Sequence, residues 1–168
     1  MSETVVRMGE LAASATRGDV LSSIGLGSCI GVALLSRNRP VAGLAHVMLP
    51  EVPAGGGPVG KFADTAIPAL TAALTQLDAP AGALVAVLVG GASMFSFGGA
   101  GGQLDIGGRN EAAARRGLAK LGIPVVAAET GGNKGRTIRV TVGGGVHVRA
   151  AGDAEFELYS LSAEGIAA

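Results

Sequence analysis

Ile30-Gly31-Val32-Ala33-Leu34-Leu35, then Ser36-Arg37-Asn38-Arg39-Pro40, then Val41-Ala42-Gly43-Leu44-Ala45-His46-Val47-Met48-Leu49: the fold is decided in this stretch. Both flanking runs are apolar and β-prone. A short polar turn joins them, and Pro50 closes the second. The pattern predicts two antiparallel strands in a hairpin. Cys29 opens the first arm and His46 lies late in the second. In an antiparallel pair those positions are close across the ladder. Cys29 is the chain's only cysteine and His46 one of its two histidines, so the spacing supports a thiol–imidazole contact.

Working outward, residues 5–8 and 20–24 read as strands and residues 25–28 as a tight turn. Residues 53–60 are rich in Pro and Gly, carry no core signal, and are placed to form a wall or lid over a cleft. Residues 61–77 carry Phe62, Ile67, Leu70, Leu74 and Leu77 on a rough helical stripe. Pro68 within it predicts a kink or a late start. Residues 83–89 read as a strongly apolar strand, and residues 90–102 as a glycine-rich loop bearing Met94, Phe95 and Phe97. Those three fit either core packing or the gripping of a partner helix. A helix is predicted over 109–121, with Asn110 as N-cap or first-turn residue. Residues 123–129, 136–142 and 146–149 follow as strands, and the tail after about residue 152 adds at most an edge strand around Phe156 to Leu161. Hairpins mixed with helices predict an α+β fold: one mixed α/β layered domain over residues 1–168, with packed sheets.

Composition narrows the function. Forty-eight per cent of the residues are hydrophobic but only 3% aromatic, so the core is built from Val, Leu, Ile and Ala. Thirteen basic and thirteen acidic side chains cancel, without a basic cluster or aromatic ladder, which argues against nucleic acid. A single cysteine excludes an internal disulfide and favours a reducing compartment. No basic-then-apolar leader opens the chain, and the apolar runs fall short of the ~20 residues of a membrane span. A cytoplasmic protein without membrane insertion is expected.

A thiol near an imidazole can be deprotonated and attack amides, esters or thioesters. A third group commonly orients the ring. The turn at Gly25-Leu26-Gly27-Ser28 can present backbone N–H groups to an oxyanion. The plain alternative is a small buried hydrophobe at Cys29 and a hydrogen-bonded core residue at His46. The same glycines match only part of a dinucleotide fingerprint and lead into a strand, not a helix. No Gly-Lys-Ser/Thr phosphate loop is present, and one cysteine with two distant histidines makes no metal set.

Gly25-Leu26-Gly27-Ser28-Cys29 with Ala42-Gly43-Leu44-Ala45-His46-Val47-Met48-Leu49-Pro50 resembles the chemoreceptor glutamine deamidases of the CheD type. Gly90-Gly91-Ala92, Ile106-Gly107-Gly108-Arg109-Asn110, Ile123-Pro124-Val125-Val126-Ala127, Gly131-Gly132 and Gly135-Arg136 extend the resemblance over nearly the whole chain. The resemblance implies the cysteine-hydrolase fold shared with toxin glutamine deamidases. It implies hydrolysis of receptor glutamine to glutamate and ammonia, with receptor methyl esters as further substrates and no cofactor or metal. Cys29 would be nucleophile and His46 general base. Ser23 would be the third catalytic residue, standing where the family carries threonine. Ser22, its neighbour, should face the other side of the strand. Implied partners are the cytoplasmic helices of chemoreceptors and a CheC-type phosphatase. Two other functions fit the same residues: a non-catalytic regulator that binds such a phosphatase, and a cysteine hydrolase of small amides or esters.

Overall fold

A strand covered on one face alternates apolar and polar residues, whereas one covered on both faces is apolar throughout. The hairpin quoted above is of the second kind, and a three-layer arrangement follows from it. The computed structural model describes residues 1–93 and 105–162. In chain order these form β1 (Glu3–Val5), β2 (Leu11–Ser14), β3 (Val20–Leu26), β4 (Ile30–Ser36), β5 (Ala42–Val47), α1 (Ala63–Gln76), β6 (Leu84–Gly90), α2 (Ile106–Lys120), β7 (Val125–Thr130), β8 (Arg136–Thr141), β9 (Gly145–Ala150) and β10 (Phe156–Ser160). A central sheet runs β2-β5-β4-β6-β7 and an outer sheet β1-β3-β8-β9-β10. Every residue of β4, β5 and β6 is buried.

Alternation along the central strands divides them between two cores. Ile30, Val32, Leu34, Ala45, Val47, Ala86 and Leu88 pack under the helices with Ile67, Leu70, Leu74 and Leu118. Ala33, Leu35, Leu44, Val85, Val87 and Val89 pack against Leu21, Ile138, Val140, Val146 and Val148 of the outer sheet. The predicted mixed α/β layered domain is therefore a helical layer, a doubly covered sheet and an outer sheet. The predicted hairpin is β4–β5, and β10 is the edge strand anticipated in the tail.

Several boundaries differ from the sequence expectation. The first strand is residues 3–5 rather than 5–8, because it pairs in parallel with β3 from Glu3↔Val20 to Val5↔Ser22. The short β2 carries little β-signal and is held by pairing along β5. Pro68 neither delays nor ends α1: its ring is on the exposed side, and the helix begins five residues earlier. α2 starts at Ile106, three residues ahead of the expected start. Asp105 is its N-cap, its side chain accepting from the Gly108 N–H at 2.9 Å. Residues 58–60 border a cavity of about 390 Å³ beside the edge strands, together with Val6, Gly9 and Leu11. Among the described residues no helix is long and apolar enough to cross a membrane.

Strand directions bring the chemistry to one end of the sandwich. Leu26 pairs with Arg136, and Ile30 pairs with both Val47 and Gly90. The β3–β4 turn, the exits of β5 and β6, and the start of β8 therefore meet there.

Leu88 is fully buried in the central sheet under the helices. Leu88→Ala is expected to cost about 2–5 kcal/mol through lost burial and an unfilled cavity. Urea unfolding should show a lower midpoint with an unchanged slope.

Candidate active site

His46 is set by the hairpin register. It lies opposite Gly31, one step from the Ile30↔Val47 pair. Its own main chain bonds away from β4: the His46 N–H donates to Glu10 O at 3.0 Å, and Gly9 N–H donates to His46 O at 2.9 Å. Toward β4 it is thus a non-hydrogen-bonded position, where facing side chains approach most closely. Gly31 places no side chain there. Cys29, two residues before Gly31, lies diagonal to His46, within the usual reach of such pairs. Alternation turns both toward the outer sheet, and the half-buried Cys29 packs on that core. The hairpin thus brings the two sequence-predicted residues to one face of one sheet. The thiol and the ring are not hydrogen-bonded to each other in this structure.

The third predicted residue, Ser23, is fully buried on β3. Its hydroxyl donates to Val6 O at 2.7 Å, and the Nδ1 of His46 lies 3.1 Å from the same oxygen. Ser23 and His46 therefore converge on one carbonyl rather than on each other. Ser22 is also buried, its hydroxyl donating not to the Val6 carbonyl but to Glu3 Oε2 at 3.2 Å. Burial pushes the Cys29 thiol above its ordinary pKa, opposed in part by its own backbone N–H. Burial pushes His46 down, against the opposing pull of the Val6 carbonyl and the Glu10 carboxylate. Both shifts favour the neutral form of the group.

The turn before Cys29 is fastened carbonyl by carbonyl. Gly27 O accepts from Ala92 N at 2.8 Å, and Cys29 O from Gly91 N at 2.8 Å. Ser28 O accepts from Asn110 Nδ2 at 2.9 Å, and the same nitrogen donates to Met48 O at 3.0 Å. Asn110 is thus the brace, not the cap, of its helix. Gly90 has φ +112°, and a Cβ there would collide with the Cys29 carbonyl oxygen. A Cβ at Gly107 would collide with the carbonyl oxygens of Gly91 and Ala92. Behind them the buried Arg136 donates from Nη1 to Gly131 O at 2.7 Å and Gly90 O at 3.3 Å, with Glu129 Oε2 3.4 Å from its Nε. Among the described residues no carbonyl accepts from the N–H groups of Ser28 or Cys29, and the Cys29 N–H lies against its own thiol.

Other residues fall outside this cluster. His147 sits on the outer sheet, 3.8 Å from Glu157. Asp64 is exposed and accepts from Val52 N at 3.0 Å. Met94, Phe95 and Phe97 lie outside the described residues. No group of three metal-ligating side chains gathers among the described residues. Sequence reasoning missed Val6, whose contribution is a main-chain carbonyl and leaves no residue-type signal.

A family model described as CheD chemotactic sensory transduction matches residues 48–150. This span holds the bracing residues Gly90, Gly107, Asn110 and Arg136 and begins just after His46. The chain is 45% identical over 136 residues to a protein of Clostridium kluyveri named probable chemoreceptor glutamine deamidase CheD, covering 79% of this chain and 83% of the relative. A protein of that name from Symbiobacterium thermophilum is 41% identical over 157 residues, 91% of this chain and 95% of the relative. One from Geobacillus kaustophilus is 45% identical over 124 residues, 71% and 75% of the two chains.

Because burial disfavours the thiolate, the rate of Cys29 alkylation by iodoacetamide should rise with a midpoint above the ordinary thiol value of 9.0. A midpoint near neutrality would instead indicate a preformed thiolate–imidazolium pair. Asn110→Ala leaves the Ser28 and Met48 carbonyls without their donor and should cost about 1–3 kcal/mol in chemical denaturation.

Proposed function

The chain belongs to the CheD chemotactic sensory transduction family, and from that premise and the site's geometry we propose that it is a protein-glutamine deamidase acting on the cytoplasmic helices of chemoreceptors. One observation carries the proposal. A hairpin sets Cys29 and His46 on the same face, at diagonal positions across the glycine at residue 31, beside two backbone N–H groups that no carbonyl occupies. Nucleophilic acyl transfer needs these parts together: a nucleophile, a base, and donors for the developing oxyanion.

In the proposed mechanism His46 takes the Cys29 proton as the sulfur attacks the glutamine carboxamide carbon. With a neutral thiol and a neutral ring at rest, proton transfer accompanies attack instead of preceding it. The tetrahedral oxyanion accepts from the Cys29 N–H. His46 then returns the proton to the departing nitrogen, and ammonia leaves. A water, deprotonated by His46, hydrolyses the thioester and releases glutamate and the free thiol. Ser23 serves as the third residue of the site, its hydroxyl on the Val6 carbonyl that the ring also meets. Each turnover adds one negative charge to a receptor helix, and that charge is the signal. A CheC-type phosphatase is the proposed regulatory partner.

Intact-mass measurement of a receptor cytoplasmic fragment tests this. Wild-type protein should add about 1 Da per modified glutamine, the change on replacing NH2 by OH through thiolate attack. Cys29→Ala should add none, and His46→Ala should slow the gain by about 10²–10⁴-fold. A receptor that binds yet gains no mass would refute deamidation and favour the regulatory function.

A further inference from the structure

We propose that the group orienting His46 is the main-chain carbonyl of Val6, and that Ser23 is a positioning residue acting on the ring only through that carbonyl. The proposal deepens the Cys29–His46 function above and rests on it.

A carbonyl oxygen only accepts hydrogen bonds. With Nδ1 of His46 3.1 Å from Val6 O, the neutral ring carries its proton on Nδ1. Nε2 then holds the lone pair, as a general base requires. Ser23 has one hydroxyl proton, and it is spent on the same oxygen at 2.7 Å. A carbonyl has two lone pairs, so it accommodates both donors. When the ring takes the thiol's proton, the Nδ1–H bond becomes charge-assisted and strengthens. The Val6 carbonyl thus fills the orienting role that an aspartate or asparagine fills in other nucleophile–histidine sites.

The carbonyl is held as a catalytic support must be. Val6 N–H donates to Ser22 O at 2.6 Å, and its side chain is buried in the core between the sheets. Neighbouring residues of β3 therefore grip both polar groups of Val6, Ser22 by its carbonyl and Ser23 by its hydroxyl. The preceding strand is in parallel register with β3, and its start is tied by Ser2 N–H to Asp19 Oδ1 at 2.9 Å. On this account the hydroxyl at residue 23 matters as a donor to a backbone oxygen, which serine and threonine both supply.

The tautomer of His46 is the direct readout. ¹⁵N NMR of the full chain carrying His147→Gln leaves a single histidine to observe. Neutral His46 should be protonated on Nδ1 and bare on Nε2, and both Ser23→Ala and Ser23→Thr should keep that form. An ester in place of the Val6–Arg7 amide weakens the carbonyl as an acceptor and should reduce the Nδ1–H population. The ester also removes the Arg7 N–H bond to Glu10 Oε1. Glu10→Ala therefore serves as its control and should keep the Nδ1–H form. A ring protonated on Nε2 overturns the proposal, as does a tautomer lost in Ser23→Ala but kept in the ester. The measurement needs no substrate. Deamidation with an Nε2–H ring defeats this proposal alone. An Nδ1–H ring that answers to the ester, without deamidation, defeats the proposed function and upholds the carbonyl's role.

Discussion

The constraint on which everything else depends is the burial of β4 on both faces. A strand packed between helices on one side and a second sheet on the other has no room for unpaired polar side chains along its length. Chemistry is thereby confined to its end, where β4 meets the turn and the layers part. Cys29 stands one residue before the strand, and His46 is the polar side chain of the otherwise apolar β5. The same burial sets their electrostatics. It raises the thiol and lowers the imidazole, which disfavours a Cys29–His46 ion pair in the resting site.

A reactive atom at the end of a rigid strand is useful only if the turn leading to it is rigid too. Here the rigidity comes from hydrogen bonds to three consecutive carbonyls, supplied by two segments distant in sequence. The glycines at 90 and 107 allow those segments to approach the turn, because a Cβ at either would strike a carbonyl oxygen. Arg136, buried yet engaged by two carbonyls and a carboxylate, fixes the segment that fixes the turn. Tying the carbonyls down has a chemical consequence beyond stability: it fixes the orientation of the peptide units that carry the Ser28 and Cys29 N–H groups.

Much of this was legible from residue types. The apolar hairpin, its turn and the face shared by Cys29 and His46 follow from strand periodicity and antiparallel pairing. The layered α+β character follows from hairpins mixed with helices along the chain. What was not legible has two physical causes. One is tertiary override: β2 has little intrinsic signal and exists because β5 offers a paired edge, and α2 begins at Ile106 because Asp105 caps it and Gly107 packs where a larger residue would clash. The other is that backbone groups have no letter in the sequence. Ser23 was identifiable as a hydroxyl near the site, but its target, the Val6 carbonyl, depends on a parallel pairing that brings the N-terminal segment against β3.

The neutral resting pair has a cost and a use. At their ordinary values of 9.0 and 6.5, moving a proton from a thiol to an imidazole is uphill by about 3 kcal/mol, and burial widens that gap in both directions. In the proposed reaction this free energy must be recovered after substrate binds. Two groups here can offset it. The Val6 carbonyl gains when the ring becomes cationic, and the Cys29 N–H gains when the carboxamide oxygen becomes anionic. The second of these gains is available only with a bound acyl group. In the proposed reaction the thiolate is therefore disfavoured until a substrate carbonyl occupies the site. A deamidase of the proposed kind, choosing particular side chains on another protein, is served by a nucleophile activated only on the target.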